Sequence, residues 1–490
     1  MKSSHSLFGT TSMAAASAVR VGIQIAILPI IGRLLGPQAF GQIALVSPFI
    51  FFAMMLAESG LSACIVRANK VTEELKGTVF SFSAAMSLLT IAIFAATAWP
   101  VGKILHEPAF PKLLLGMSAI LLIASFNIVP SALLLRAKQY NWVALSDLVS
   151  TFGGVVAVAV GIVLGWGVWS IVAQQVVFWV CKTGVVIAAT GYRPSFAFHK
   201  KLFKENIYFG SNLTGSSILS FISRNIDNIL IGAFMGAEAL GHYALAFQIV
   251  GLPQMVISGS VYSLLFSSTS EAVREGRFSP ALYLKVMRGL LLVASPVIIG
   301  LAVTAPLSVP CMLGEQWLPM VPLIMWLAPL GLLQAMGAAN SGMLIGLGKA
   351  DVLFRLSLIS AGTTILAIAI GAYIGSPQAV AMAVSLAALC NSWRVFFSIT
   401  RFCNVRFRRI LQVSFIPVFT AALMGISVFA IQMLLPSQLA LFTRLVISIA
   451  AGILIYPLIL FGLFRDRLTA DIETIKTAFL VQRRHNRKYP

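Results

Sequence analysis

The sequence is poor in charge, and poorest in negative charge. Of 490 residues only 15 are Asp or Glu, and the four charged types together make up 10%. Soluble domains carry about 25% charged residues, so a water-soluble fold is excluded for most of the chain. Cysteine is scarce and scattered. Cys64, Cys181, Cys311, Cys390 and Cys403 form no C-x-x-C pair, which leaves no zinc or redox motif. All but Cys403 lie in or at the ends of apolar runs and read as small packing residues. No Walker motif occurs, so ATP hydrolysis by a phosphate-binding loop is excluded. The apolar runs do not alternate with polar residues, which excludes a membrane β-barrel.

What is present is apolar. The chain is 59% hydrophobic, with a mean hydropathy of +0.93. Runs of about 20 apolar residues, the length that crosses a bilayer as a helix, recur along almost its whole length. They predict an all-α, polytopic membrane protein of fourteen spans, near 12–33, 41–66, 77–99, 112–135, 143–164, 167–190, 207–233, 241–266, 287–308, 319–346, 352–374, 378–400, 410–434 and 441–464. Gly165-Trp166-Gly167 is the turn signal between the fifth and sixth. The first span is expected to be permanent. The small-residue run Ala14–Ala18 precedes its apolar stretch, whereas a signal-peptide cleavage site would follow one.

Positive charge orients these spans. The N-terminus, the loops after even-numbered spans and the tail hold 26 of the 35 basic residues. The opposite loops hold only Arg33, Lys103 and Lys112. This asymmetry predicts that both termini are cytoplasmic. The net charge of +20 then reflects topology and attraction to anionic membrane lipids. Nucleic acid is a poor partner, because the basic residues sit in short loops with no recognition domain.

A repeat sets the internal organisation. IGRLLGPQAFGQIALV begins at Ile31, and IGAFMGAEALGHYALA begins two hundred residues later at Ile231. Seven positions match without a gap: Ile31, Gly32, Gly36, Ala39, Gly41, Ala44 and Leu45 recur as Ile231, Gly232, Gly236, Ala239, Gly241, Ala244 and Leu245. The copies lie six spans apart, an even number, so the repeat is parallel. It predicts two pseudo-symmetric six-helix lobes, residues 1–200 and 201–400, then two further helices (401–464) and a basic cytoplasmic tail (465–490). Gly36 and Gly236 are expected to cap helix ends in a left-handed conformation. Gly41 and Gly241 are expected to permit close helix approach.

Charges at membrane depth are costly and mark candidate sites. Arg20 lies in the middle of the first span, Arg224 and Asp227 in the seventh, and Glu58 in the second. Lys182, Arg355 and Arg394 lie within about two turns of cytoplasmic ends, where long side chains snorkel. Asp147 opens the fifth helix, where a carboxylate suits the dipole. In repeat register Gln24 matches Arg224 and Ile27 matches Asp227, so the first and seventh helices present equivalent polar stripes. Lining a hydrated cavity, Arg20, Gln24, Arg224, Arg355 and Arg394 form a cationic substrate-binding set. Guanidinium groups bind phosphate bidentately, which points to a phosphate-bearing substrate. Arg224 and Asp227, three residues apart, fit a structural pair equally well. Glu58 and Asp227 are the candidate ion-coupling carboxylates. Trp142, Trp317, Trp326 and Trp393 suit sugar stacking or interface anchoring. No catalytic, metal or cofactor motif is present.

The first copy of the repeat, together with AESGLSACIVR and the later stretches YRPSFAFHKKLFKENIYFGSNL, RNIDNILIGAFMGAEALGHYALAFQI and GEQWLPMVPLIMWLAPLGLLQAMGAANSGMLIGLGKAD, resembles the polysaccharide-transporter (Wzx-type) flippases. These belong to the multidrug/oligosaccharidyl-lipid/polysaccharide (MOP) exporter superfamily, which also contains the MurJ lipid II flippases and the MATE drug exporters. The resemblance covers essentially the whole chain. It implies a MOP/MurJ-like fold and alternating access. It also implies translocation of an undecaprenyl-pyrophosphate-linked oligosaccharide across the bacterial inner membrane, with a polysaccharide polymerase and chain-length regulator as partners. The competing readings are a MurJ-like lipid II flippase, a MATE-like cation-coupled drug exporter, and a membrane polymerase or ligase. Cationic drugs prefer acidic cavities, which counts against the exporter. The enzyme needs positioned acid–base groups, whereas the short outer loops hold few candidates, His106, Glu107, Glu238, His242 and Glu315, with no cluster.

Overall fold

Why the same stretch recurs is answered by where its two copies meet. The computed structural model describes the backbone of residues 2–462 apart from 59, 60, 69, 404 and 437. It describes the side chains of residues 19–462, apart from those five and from 201–220, 222–224 and 256–257. The expected tail, 465–490, lies outside the described residues. Among those described there is no strand. The helices are α1 (Lys2–Glu58), α2 (Leu61–Arg67), α3 (Glu73–Ile104), α4 (Phe110–Arg136), α5 (Tyr140–Val163), α6 (Trp169–Thr190), α7 (Lys200–Arg274), α8 (Ala281–Met312), α9 (Met320–Gly346), α10 (Ala350–Tyr373), α11 (Pro377–Cys403) and α12 (Phe407–Leu434). A final helix, α13, covers Leu441–Gly462. Gly165 and Gly167 hold positive φ in the turn between α5 and α6, as the sequence suggested.

Among the described residues, twelve helical stretches are long and apolar enough to cross a membrane. Two of these, Val19–Arg67 and Asn225–Met255, are each bent at a glycine. Twelve stretches thus stand where the sequence predicted fourteen spans, because each elbow joins two of the expected spans, the first with the second and the seventh with the eighth. The bends are Gly36, at φ 75° and ψ 173°, and Gly236, at φ 85° and ψ 173°. The sequence suggested left-handed helical caps. The observed geometry has positive φ with extended ψ, a region essentially reserved for glycine, and it turns the chain sharply instead of capping it. The duplication extends to element lengths: α3 and α8 have 32 residues each, α4 and α9 have 27, and α5 and α10 have 24.

The two elbows touch. A Cβ added to Gly41 would overlap the Ala237 carbonyl and come within 2.8 Å of the Gly241 nitrogen. One added to Gly241 would overlap the Pro37 carbonyl and lie 3.1 Å from the Gly41 nitrogen. Pro37 and Ala237 are themselves equivalent positions, so each copy makes the same contact with the other. Backbone meets backbone, and no side chain larger than hydrogen fits at either glycine.

The chain divides into two compact units, Met1–Leu245 with Ala372–Pro377, and Ala246–Gly371 with Gln378–Pro490. In the first, α4 is the central helix, packed against α1, α2, α3, α5 and α6. Thr72 starts α3 by accepting the Leu75 N–H at 3.2 Å, and Glu73 and Glu74 complement the dipole of its first turn. At the end of α4, the Arg136 guanidinium donates to the carbonyls of Ile65, Val66 and Ala68. It thereby caps the short α2, whose last carbonyls lack helical partners.

In the second unit α8 packs against α9 and α12, around a core that includes Tyr283, Met287, Leu291 and Met343. The Tyr283 hydroxyl, fully buried, donates to Asn340 Oδ1 at 2.7 Å. Pro296, inside α8, has no N–H to give the Leu292 carbonyl. The Tyr456 hydroxyl of α13 donates there at 3.0 Å, satisfying a group that lipid could not.

Overpacking a filled site costs about 1–3 kcal/mol. Gly41→Ala and Gly241→Ala are therefore each expected to lower the melting temperature of the purified protein. Gly22→Ala, at a position with nothing within 4 Å among the described residues, should not lower it. Fluorescence-detected melting in detergent checks this, and equal melting of all three variants would contradict the crossing.

Candidate functional site

The polar positions of α1 and α7 are built by the duplication and then diverge. Arg20 is half-buried on α1, and among the described residues its Nε is buried without a hydrogen-bond partner. Gln24 is one turn away and exposed. Arg224 lies on α7, but its side chain is outside the described residues. The structure therefore brings Arg20 and Gln24 onto one face and leaves the third member of the stripe undescribed.

One turn further, the two copies part company. Ile27 and Ile43 pack on an apolar cluster of Ile31, Val158 and Ile171. At the same positions plus two hundred stand Asp227 and Tyr243. Asp227 is 8% exposed and Tyr243 fully buried. The Tyr243 hydroxyl donates to Asp227 Oδ2 at 3.4 Å, and the Asn228 N–H donates to Oδ1 at 2.9 Å. A carboxylate at this depth is costly unless partnered, and a buried tyrosine hydroxyl needs a partner of its own. The second copy thus carries a carboxylate and its donor where the first carries two isoleucines. Tyr243 was absent from the sequence-based site. Comparison with Ile43 in repeat register is the signal that would have found it.

The other expected residues are dispersed. Glu58 is exposed and accepts the Ser62 hydroxyl at 2.6 Å. Arg355 is exposed on α10. Arg394, exposed on α11, donates to Asn391 Oδ1 at 3.3 Å. Asn391 in turn donates to Thr363 Oγ1 at 2.7 Å, joining α11 to α10. Of the four tryptophans, Trp317 is buried in the core, whereas Trp142, Trp326 and Trp393 are exposed.

Two polar pairs were not foreseen. Lys182 of α6 and Asp147 of α5 form an ion pair at 2.8 Å, so Lys182 does more than snorkel. Its Nζ also lies 5.8 and 5.7 Å from the ring centroids of Phe178 and Trp179. Thirty-five residues separate the partners, beyond any local spacing rule. Gln42, inside the first copy of the repeat, donates to Glu107 Oε1 at 3.0 Å. Glu107 also accepts the Ala109 N–H at 3.3 Å.

These features define a multi-pass helical membrane protein built by parallel duplication, with a half-buried arginine on its first helix. The chain belongs to the polysaccharide biosynthesis protein family, which matches residues 30–322. It is 28% identical over 357 residues to the succinoglycan biosynthesis transport protein ExoT of Rhizobium meliloti (strain 1021), covering 72% of each chain. It is 25% identical over 427 residues to the teichuronic acid biosynthesis protein TuaB of Bacillus subtilis (strain 168), covering 84% of this chain and 85% of that one. Its fold is that of the MOP transporters. It is similar to the lipid II flippase MurJ in an inward closed conformation, with a TM-score of 0.72 and 15% identity, over 93% of this chain and 99% of the other.

Removing one partner of a buried polar pair costs about 1–3 kcal/mol. Tyr243→Phe is therefore expected to destabilise the protein, and to do so far less in an Asp227→Ile background. Melting temperatures of the two single variants and the double variant test this. Strictly additive losses would show that the two groups do not interact.

Proposed function

We propose that the chain is a flippase, not an enzyme. It moves an oligosaccharide repeat unit linked to undecaprenyl pyrophosphate from the cytoplasmic to the periplasmic leaflet of the bacterial inner membrane, by alternating access. The repeat unit feeds an exopolysaccharide, capsule or O-antigen. Both termini face the cytoplasm in this reading, and the flipped product passes to a polymerase and its chain-length regulator.

The observation that carries the reading is the buried Nε of Arg20 at membrane depth, in a chain of the polysaccharide biosynthesis family. The Nε is shielded from water there without a hydrogen-bond partner among the described residues, a cost that a diphosphate would offset. Its fork matches phosphate oxygens in a way that an ammonium does not. Arg224, in repeat register with Gln24, supplies a second donor from α7, and the exposed Arg355 and Arg394 extend the basic set. Asp227 and Glu58 are the groups proposed to couple transport to a proton or sodium gradient. Two parallel six-helix lobes, 1–200 and 201–400, suit a machine that rocks about a substrate near the bilayer midplane.

Arg20→Ala and Arg224→Ala, in a strain lacking the native gene, are expected to reduce surface polysaccharide at least tenfold at normal protein level in the membrane. Arg→Lys at either site should restore part of it, since charge is kept and the fork is lost. Normal polysaccharide in both alanine variants would overturn the proposed phosphate site. Drug sensitivity with intact polysaccharide on deletion of the gene would replace the flippase by an exporter. Full transport by Asp227→Asn and Glu58→Gln would remove both carboxylates from the coupling.

A further inference from the structure

The connection between α6 and α7 is not a free linker. From Tyr192 to His199 it has no helix. Pro194 disfavours helical backbone at Arg193. It is seated on the first two turns of α3. Tyr192 is buried in a core with Leu75, Val79 and Phe80, and its phenol is pushed up to about 12, chiefly by burial and next by the Glu73 carboxylate. A Cβ on Gly77 would lie 2.9 Å from the Ala197 carbonyl oxygen. The His199 N–H donates to Thr78 Oγ1 at 3.1 Å, and Phe196 meets Phe80 edge-on at 5.2 Å.

That seat decides what faces outward. Ala197 lies against α3, whereas Phe196, whose ring edge meets Phe80, is still 78% exposed and Phe198 is 50% exposed. Arg193, His199 and Lys200 around them are exposed as well, and Lys201 follows in sequence. On α3, Glu73 is paired with Lys76 at 2.7 Å. Exposed aromatic side chains interleaved with basic ones, at the end of a membrane span, have the composition of an interfacial anchor.

We infer that residues 193–200 form a docking strip for anionic phospholipid headgroups. Phe196 and Phe198 enter the headgroup boundary, and Arg193 and Lys200 bind phosphate. The strip sits on the leaflet at the cytoplasmic end of α3. The inference rests on the orientation proposed above and not on the identity of the transported sugar. Because the strip leads directly into α7, lipid held there fixes the cytoplasmic end of that helix.

The test places p-benzoyl-phenylalanine at position 196 of the full-length protein, reconstituted in vesicles of phosphatidylglycerol or of phosphatidylcholine. After irradiation, adducts are read by mass spectrometry. Lipid adducts are expected with at least a threefold preference for phosphatidylglycerol. Arg193→Gln with Lys200→Gln should abolish the preference. Gly77→Val, which displaces Ala197 without altering a basic residue, should lower adduct yield. Equal yields from the two lipids, adducts to protein alone, or an undiminished yield in Gly77→Val would each overturn the inference. Orientation is read separately, from a Ser195→Cys variant of the chain with its native cysteines replaced. Labelling by an impermeant maleimide only in opened membranes places the strip inside. Labelling in intact cells would overturn the orientation, and with it the leaflet assigned to the strip.

Discussion

The structure depends on one contact, the backbone crossing at Gly41 and Gly241. Each elbow bends at a glycine with positive φ, Gly36 or Gly236, and then presses a second glycine against the other elbow. A contact between equivalent surfaces constrains both copies at once. A side chain gained at position 41 meets Ala237, and one gained at 241 meets Pro37. In a bilayer the apolar faces of helices gain little by leaving lipid, so close backbone approach supplies much of the association. The crossing thereby sets where α1 and α7 stand, and hence where Arg20, Gln24 and Asp227 stand.

Around that frame, several polar groups within the helices find partners. Tyr456 supplies the hydrogen bond that Pro296 cannot. Lys182 neutralises Asp147, and Tyr243 partners Asp227. These pairs break the symmetry of the duplication. Where the second copy has Asp227 and Tyr243, the first has Ile27 and Ile43 in an apolar cluster. A substrate is asymmetric, so its path has no reason to keep two equal halves. On the first copy, Arg20 Nε is among the buried polar atoms that have no hydrogen-bond partner within the described residues.

Much of the fold was legible in the sequence. Run length and composition are enough to place helices in a bilayer, and an ungapped offset of two hundred marked both elbows. The element lengths repeat that duplication even where residue identity has faded, as in α4 and α9. The unusual ψ of Gly36 and Gly236 was not legible, because glycine permits several positive-φ conformations and only the crossing selects one. At the site, Arg20 and Asp227 stood out by depth alone. Tyr243 did not, since a tyrosine in an apolar span signals nothing until its partner is known. Lys182 and Asp147 were each visible, but their pairing is tertiary. Arg136 read as a topological charge, whereas its position at the end of α4 makes it the cap of α2.

The central claim is that this chain exchanges a diphosphate-linked oligosaccharide between leaflets. Its most direct measurement uses proteoliposomes that contain a fluorescent undecaprenyl-diphosphate oligosaccharide and only the purified protein. Loss of signal to a membrane-impermeant quencher then reports the fraction of headgroups in the outer leaflet over time. Exchange well above that of protein-free vesicles is expected, with little exchange of the same lipid lacking its diphosphate. Exchange no faster than in protein-free vesicles, or equal for both lipids, would contradict the claim.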